Sequence, residues 1–397
     1  MRSELKFGIE RLVELDSNQS KAWGNCALLC NQASLDSNFS PSWWALKELI
    51  GDRLKVLLSP QHGFDAVVQD NMLETGHCTH KETNLPIFSL YSETREPTEQ
   101  MLSSVDSIVV DLQIVGCRVY TFKYTVAACL RAAKKFDKNV IVLDRPNPLG
   151  GVQIEGPVLD LSCKSFVGEF EIPMRHGLSV GEAAELFNRG IGARLEVLEV
   201  SGWSGSQYLY KMRNNWVLTS PNLPTHESVL AYPGTVVFEG TNISEGRGTT
   251  LPFTLIGAPF LESRSFVART LELFGEPRGF FLRPAAFSPT SQKWKDEVCH
   301  GCQIIVTDPE KFLSFRLGIA LLRASIELGG DSFKWKAPPY EYDYETLPIK
   351  LILGDETAPD LLTSSSFDLS SAFWTRGCEG YREKVGSQLR YRRNMLI

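Results

Sequence analysis

The 397-residue chain is 43% hydrophobic, which suffices for a substantial core and is more comfortably divided into two domains than packed as one small module. Its 41 Lys and Arg against 47 Asp and Glu leave a formal charge of -6, and no run of like charges builds the basic footprint that nucleic acid requires. No apolar stretch approaches the ~18 residues that would span a bilayer.

The opening residues Met1-Arg2-Ser3-Glu4 pass into a helix-like segment at 7–12 without the apolar stretch and cleavage site of an export signal, so a cytoplasmic protein is expected. Nine scattered cysteines, an odd number, fit a reducing compartment better than a disulfide framework. Cys299-His300-Gly301-Cys302 has the spacing of a zinc or redox half-site, but no second Cys-x-x-Cys completes it; His77-Cys78-Thr79-His80 is as weak, and no metal is expected.

The first half repeats a short β-branched run, a polar turn and a segment of helical period, which predicts a parallel sheet covered by helices. Strands are predicted at 26–30, 54–58, 86–90, 107–112 and 140–143, and helices at 42–50, 120–135 and 180–188. The strands run into Asn31-Gln32-Ala33-Ser34, Ser59-Pro60-Gln61-His62-Gly63, Tyr91-Ser92-Glu93, the stretch from Asp111-Leu112-Gln113 to Arg118, and Asp144-Arg145-Pro146-Asn147-Pro148. Ligands of open parallel sheets bind outside the carboxyl ends of the strands, so these five polar clusters point to one crevice. Turn residues alone also explain any single cluster. Neither Gly-x-Gly-x-x-Gly nor a Walker-type loop follows the first strand, so a dinucleotide or nucleoside triphosphate held on backbone amides is not expected, and no cofactor is assigned.

Near Ser220 the texture changes to Pro221-Asn222-Leu223-Pro224, which sets the expected boundary between an N-terminal domain, 1–222, and a smaller C-terminal α/β domain, 223–397, that completes the cleft. The segment 239–250 is a Gly-rich polar loop able to approach a ligand closely. Beyond it, helices are predicted at 265–274 and 309–328 and a strand at 303–307.

These motifs, taken in order, resemble the exo-β-N-acetylmuramidase family, also called glycoside hydrolase family 171 and formerly a domain of unknown function. The likeness runs through Gly8-Ile9-Glu10-Arg11-Leu12, Cys30-Asn31-Gln32-Ala33-Ser34, Pro60-Gln61-His62-Gly63, Asp111-Leu112-Gln113, Val115-Gly116-Cys117-Arg118, Asp144-Arg145-Pro146-Asn147-Pro148, Glu155-Gly156-Pro157, Arg175-His176-Gly177 and the 239–250 loop. The resemblance implies a Rossmann-like N-terminal domain, a cleft against the C-terminal domain, and NAD-independent release of terminal β-linked N-acetylmuramic acid from peptidoglycan fragments. The chain departs from the family's Pro-Glu-His-Gly at Gln61, which can hold a hydroxyl but cannot deliver a proton; a non-catalytic carbohydrate-binding relative is the alternative.

Glycoside hydrolysis usually takes two carboxyl groups. The catalytic candidates are Asp111, Glu245, His62 and Gln61. Asp111 at a strand end is either a proton donor in a partly dry crevice or a carboxylate paired with turn amides or Arg118; Glu245, two residues from Arg247, is either catalytic or half of an ion pair. The lactyl carboxylate of muramic acid calls for arginine, and Arg118 and Arg247 are the preferred pair. Asn31, Gln32, Gln113, Asn147, Glu155, His176 and Asn242 complete the expected substrate contacts.

Overall fold

The computed structural model describes residues 5–15, 17–70, 72–213 and 215–397; Met1–Glu4, which entered the reading of the N-terminus, lie outside them. Seven strands form the main sheet in the order β3-β4-β2-β1-β5-β6-β7. They are β1 (Cys26–Leu29), β2 (Leu54–Ser59), β3 (Cys78–Thr79), β4 (Pro86–Ser89), β5 (Ser107–Val110), β6 (Asn139–Leu143) and β7 (Arg194–Leu198). All neighbours are parallel except the short edge strand β3. The chain builds outward from β1 through β2 to β4 and then crosses back to β5 on the other side of β1, so the topological switch lies between β1 and β5.

Buried residues of the central strands alternate between two cores. Ala27, Leu29, Leu58, Ile108 and Val110 face one, while Cys26, Leu28, Leu57 and Val109 face the other. With both faces covered, apolar residues occupy successive positions, which is why these strands read as hydrophobic runs. The helix Phe122–Lys135 packs against the helix Val180–Ile191. The second begins at a Ser179–Glu182 capping box and ends at Gly192, whose φ of 73° suits a left-handed C-terminus.

A three-stranded antiparallel sheet, β8 (Leu255–Ala258), β10 (Cys299–Val306) and β9 (Phe280–Phe287), forms the second layer with the helices Ser263–Phe274 and Ser314–Gly329. The helix Ser314–Gly329 starts five residues later than its apolar pattern suggests. Its Gly318 meets Gly234 of the helix His226–Thr235 so closely that a Cβ on Gly234 would sit 1.8 Å from the Ser314 carbonyl oxygen. Side chains of both sheets join one core, in which Ile256, Cys302 and Ile304 are continuous with the β1–β5 face. Cys299 and Cys302 both lie in β10, and an offset of three along a strand directs them to opposite faces.

Candidate active site

The turns after the strands divide into two groups. Those after β1, β5 and β6 surround a separate pocket lined by Asp36, Gln113, Arg145 and Trp216, and their polar side chains pair with one another or with distant carbonyls. Asp111 is fully buried and grips Arg145, with Oδ1 accepting from Nε at 2.5 Å and Oδ2 from Nη2 at 2.8 Å. Its partner is therefore Arg145, not the expected Arg118. Asn31 donates to the Thr219 carbonyl, Gln32 to that of Leu218, and Asn147 to that of Leu178. Gln113 donates to the carbonyls of Ile114 and Pro146. Arg118, expected to bind substrate, is fully buried and spends its guanidinium on the carbonyls of Pro157, Ile172 and Ile352. Glu155 pairs with Arg175 and accepts from the Phe315 amide. His176 is buried with Nδ1 accepting from the Leu178 amide; burial, then the charges of Lys123, Arg393 and Arg118, hold it well below the usual imidazole range. Asn242 fastens the 332–334 segment through the Ser332 carbonyl and the Lys334 amide. None of these residues lines the cleft described next.

The turn after β2 opens into a cleft shared with the C-terminal half. Its floor is lined by Gln61, His62, Thr121, Ser220, Tyr232, Glu239, Arg247, Tyr340 and Glu341. An annex through the same Glu239, Arg247 and Tyr340 is bounded by Asp70, Glu245, Gln292, Lys293 and Lys336. Of the expected site residues, Gln61, His62, Glu245 and Arg247 thus come together.

Gln61 is held on every side. Its Oε1 accepts from Thr121 Oγ1 at 2.7 Å, and its Nε2 donates to Glu341 Oε1 and to Tyr91 Oη, each at 3.2 Å. Tyr91, delivered by the β4 turn, donates to Glu341 Oε2 at 2.8 Å. His62 Nδ1 lies 2.7 Å from the Val68 carbonyl, which can only accept, so Nδ1 carries the hydrogen and Nε2 accepts from Ser220 Oγ at 3.1 Å. Burial pushes His62 down to about 4, so the ring is neutral at pH 7.

Glu239 and Glu341, both buried, sit in opposite surroundings. Glu239 accepts from Arg247 Nη2 at 2.5 Å and from Tyr340 Oη at 2.6 Å. Burial raises its carboxyl, but the Arg247 charge and the Tyr340 hydroxyl outweigh it, leaving Glu239 below the usual carboxylate range. Glu341 has neutral hydrogen-bond partners; burial raises it, and the nearby Glu239 charge adds to the rise against the donors Tyr91 and Gln61. Carboxyls driven apart in this way are what acid and base roles demand. Arg247 also reaches Glu245 at 3.2 Å, and Glu245 in turn holds Lys293 at 2.8 Å. Lys336 is exposed, lies over the Tyr340 ring at 5.6 Å and has no ion pair among the described residues.

Tyr340 and Glu341 were not anticipated. They follow Pro338-Pro339, far along the chain from Gln61, in a segment with no apolar period. Glu341 and Tyr342 have φ of 46° and 69°, a left-handed backbone that bulky residues seldom adopt and that tends to be retained at functional sites.

The model of the N-terminal part of the exo-β-N-acetylmuramidase NamZ matches residues 26–227, and that of its C-terminal part matches residues 230–391. The chain belongs to the NamZ family. It is 40% identical over 338 residues to the peptidoglycan β-N-acetylmuramidase NamZ of Bacillus subtilis (strain 168), covering 84% of this chain and 80% of that relative. Two crystal structures of DUF1343 family proteins from Bacteroides fragilis NCTC 9343 are similar over 99% of this chain and all of theirs. One has a TM-score of 0.86 at 27% identity and the other 0.72 at 25%. The parallel sheet covered by helices, with a smaller second sheet, is therefore the family fold.

Proposed function

We propose that this NamZ-family chain is an exo-acting glycoside hydrolase that removes terminal, non-reducing β-linked N-acetylmuramic acid from peptidoglycan fragments. The observation that carries this reading is a cleft that combines two oppositely tuned carboxyls with an annex where Lys336 has no ion pair among the described residues. An oxocarbenium-like centre developing at the anomeric carbon is stabilised by a fixed negative charge, which Glu239, clamped by Arg247, supplies. The lactyl carboxylate that distinguishes muramic acid needs a cation not already neutralised. Lys336 meets that condition, with Arg247 behind it; Arg118 does not reach the cleft. No metal or nicotinamide enters the reading.

Among the described residues no helix is long and apolar enough to cross a membrane, and the cysteines are free. Free thiols suit a reducing compartment, so we place the reaction in the cytoplasm, on fragments brought in during cell-wall recycling.

Two isomeric disaccharides test the substrate reading: one with N-acetylmuramic acid at the non-reducing end of the β-linkage and one with N-acetylglucosamine there. Release of free N-acetylmuramic acid from the first alone is expected. Gln61 favours a second reading, a carbohydrate-binding relative without turnover; saturable binding of the first disaccharide with no product over a day would decide for it.

A further inference from the structure

The family pattern carries glutamate where this chain has Gln61, and a carboxamide has no proton to give at neutral pH. The position is nevertheless not empty of acid. Gln61 Nε2 donates to Glu341 Oε1, and Tyr91 Oη donates to Glu341 Oε2, so the amide at position 61 and a carboxyl from the far end of the chain share one hydrogen-bonded cluster on the cleft floor. Among the described residues the other buried acids of this region are committed elsewhere: Asp111 to Arg145, Asp144, away from the cleft, to Ser179, Tyr391 and the Gly181 amide, Glu155 to Arg175, Glu182 to Arg393, Glu239 to Arg247, and Glu245 to Arg247 and Lys293. Glu341 is the buried carboxyl of the cleft whose hydrogen-bond partners are all uncharged, and the left-handed backbone at 341 and 342 aims it there.

We propose that Glu341 is the proton donor to the leaving group, with Gln61 and Tyr91 as positioning residues that hold its carboxyl. The proposal rests on the glycosidase reading above. As the bond between the anomeric carbon and the glycosidic oxygen breaks, its electron pair goes to that oxygen and the Glu341 proton follows. Water then adds to the anomeric carbon, and the proton it releases restores the Glu341 carboxyl. The sum is one glycosidic bond and one water converted to two hydroxyls, with no change of oxidation state. Burial and the Glu239 charge raise Glu341 against the pull of Tyr91, Gln61 and Arg95, which favours the protonated form that this step consumes.

The test compares leaving groups. Glu341→Gln keeps the size and one of the two acceptor oxygens but has no acidic proton. On the muramic-acid disaccharide, whose sugar alkoxide leaves only when protonated, kcat should fall by about 10²- to 10⁴-fold. On the 4-nitrophenyl β-glycoside of N-acetylmuramic acid, whose phenolate leaves unaided, it should fall less than about tenfold, and the alkaline limb of the pH profile should vanish. Equal losses on both substrates, or no loss on either, overturn Glu341 as donor while leaving the glycosidase reading standing. A wild-type protein inactive on both overturns the two together. Tyr91→Phe gives an independent measure: it removes a donor that favours the ionised carboxyl, so the alkaline limb should move to higher pH. An unmoved limb in an active Tyr91→Phe enzyme also counts against the proposal.

Discussion

Replacing Asp111 by Asn distinguishes a lock on the sheet from a catalytic group. In the native protein the carboxylate meets Arg145 through two parallel hydrogen bonds with both side chains out of water. Arg145 otherwise donates to the Leu35 carbonyl and lies over the Phe7 ring, so among the described residues it has no second anion to turn to. Asparagine can accept one bond and points its own amide hydrogens at the guanidinium. Breaking a buried pair from one side costs about 3–5 kcal/mol, because the remaining charge is left dry and unmatched. At about 2–4 °C per kcal/mol for a unit of 150–250 residues, differential scanning calorimetry should show the melting temperature falling by roughly 6–20 °C. Turnover per folded molecule, measured well below the transition, should stay within about threefold of wild type, the order of one kcal/mol or less. A variant that melts like wild type yet loses turnover would refute this assignment and return Asp111 to the chemistry.

Other perturbations have equally definite outcomes. Gln61→Ala, which removes no proton, should leave measurable hydrolysis of the disaccharide in a chromatographic assay; complete loss would show that the amide does more than position. Lys336→Met should raise KM for the muramic-acid glycoside by about tenfold, the order expected for one charge-assisted hydrogen bond, with little change in kcat. A kcat effect alone would place the substrate carboxylate elsewhere. The histidine of an unfolded chain takes its proton near 6.5, whereas burial holds His62 at about 4, so between those values the unfolded state binds the extra proton. The stability contributed by keeping the ring neutral is complete above about pH 6.5 and is lost as pH falls toward 4, by an amount on the order of 3 kcal/mol. His62 has a left-handed φ of 74°, which Asn tolerates, so urea titrations at pH 7 and 4.5 should show a smaller acid-induced loss in His62→Asn; an equal loss would exclude His62 as the source.

What the sequence disclosed followed burial. The central strands were visible because both faces are covered, so apolar runs such as Ile108, Val109 and Val110 stand out. β7 was not, because Arg194–Leu198 lies at the sheet edge and exposes alternate charged residues, and β9 was masked by Arg283 and Pro284 within it. Of the site, Gln61 and His62 could be found since a strand end sits one turn away. Asp111, Arg118 and Asn147 occupy equivalent strand-end positions, but whether a polar side chain there meets solvent or a carbonyl is decided by segments distant in sequence. Glu341 had no local signal, since its role depends on a contact spanning 280 positions.

The division of the sheet's carboxyl edge has a consequence for how such a protein can change. Its mechanical fastening, Asp111 with Arg145 and the amides after β1 and β6, is separate from Gln61 and His62, which the turn after β2 brings to the cleft. Drift at position 61 can therefore alter reactivity without loosening the scaffold, and a glutamine could settle there while an acid from another part of the chain kept the reaction within reach.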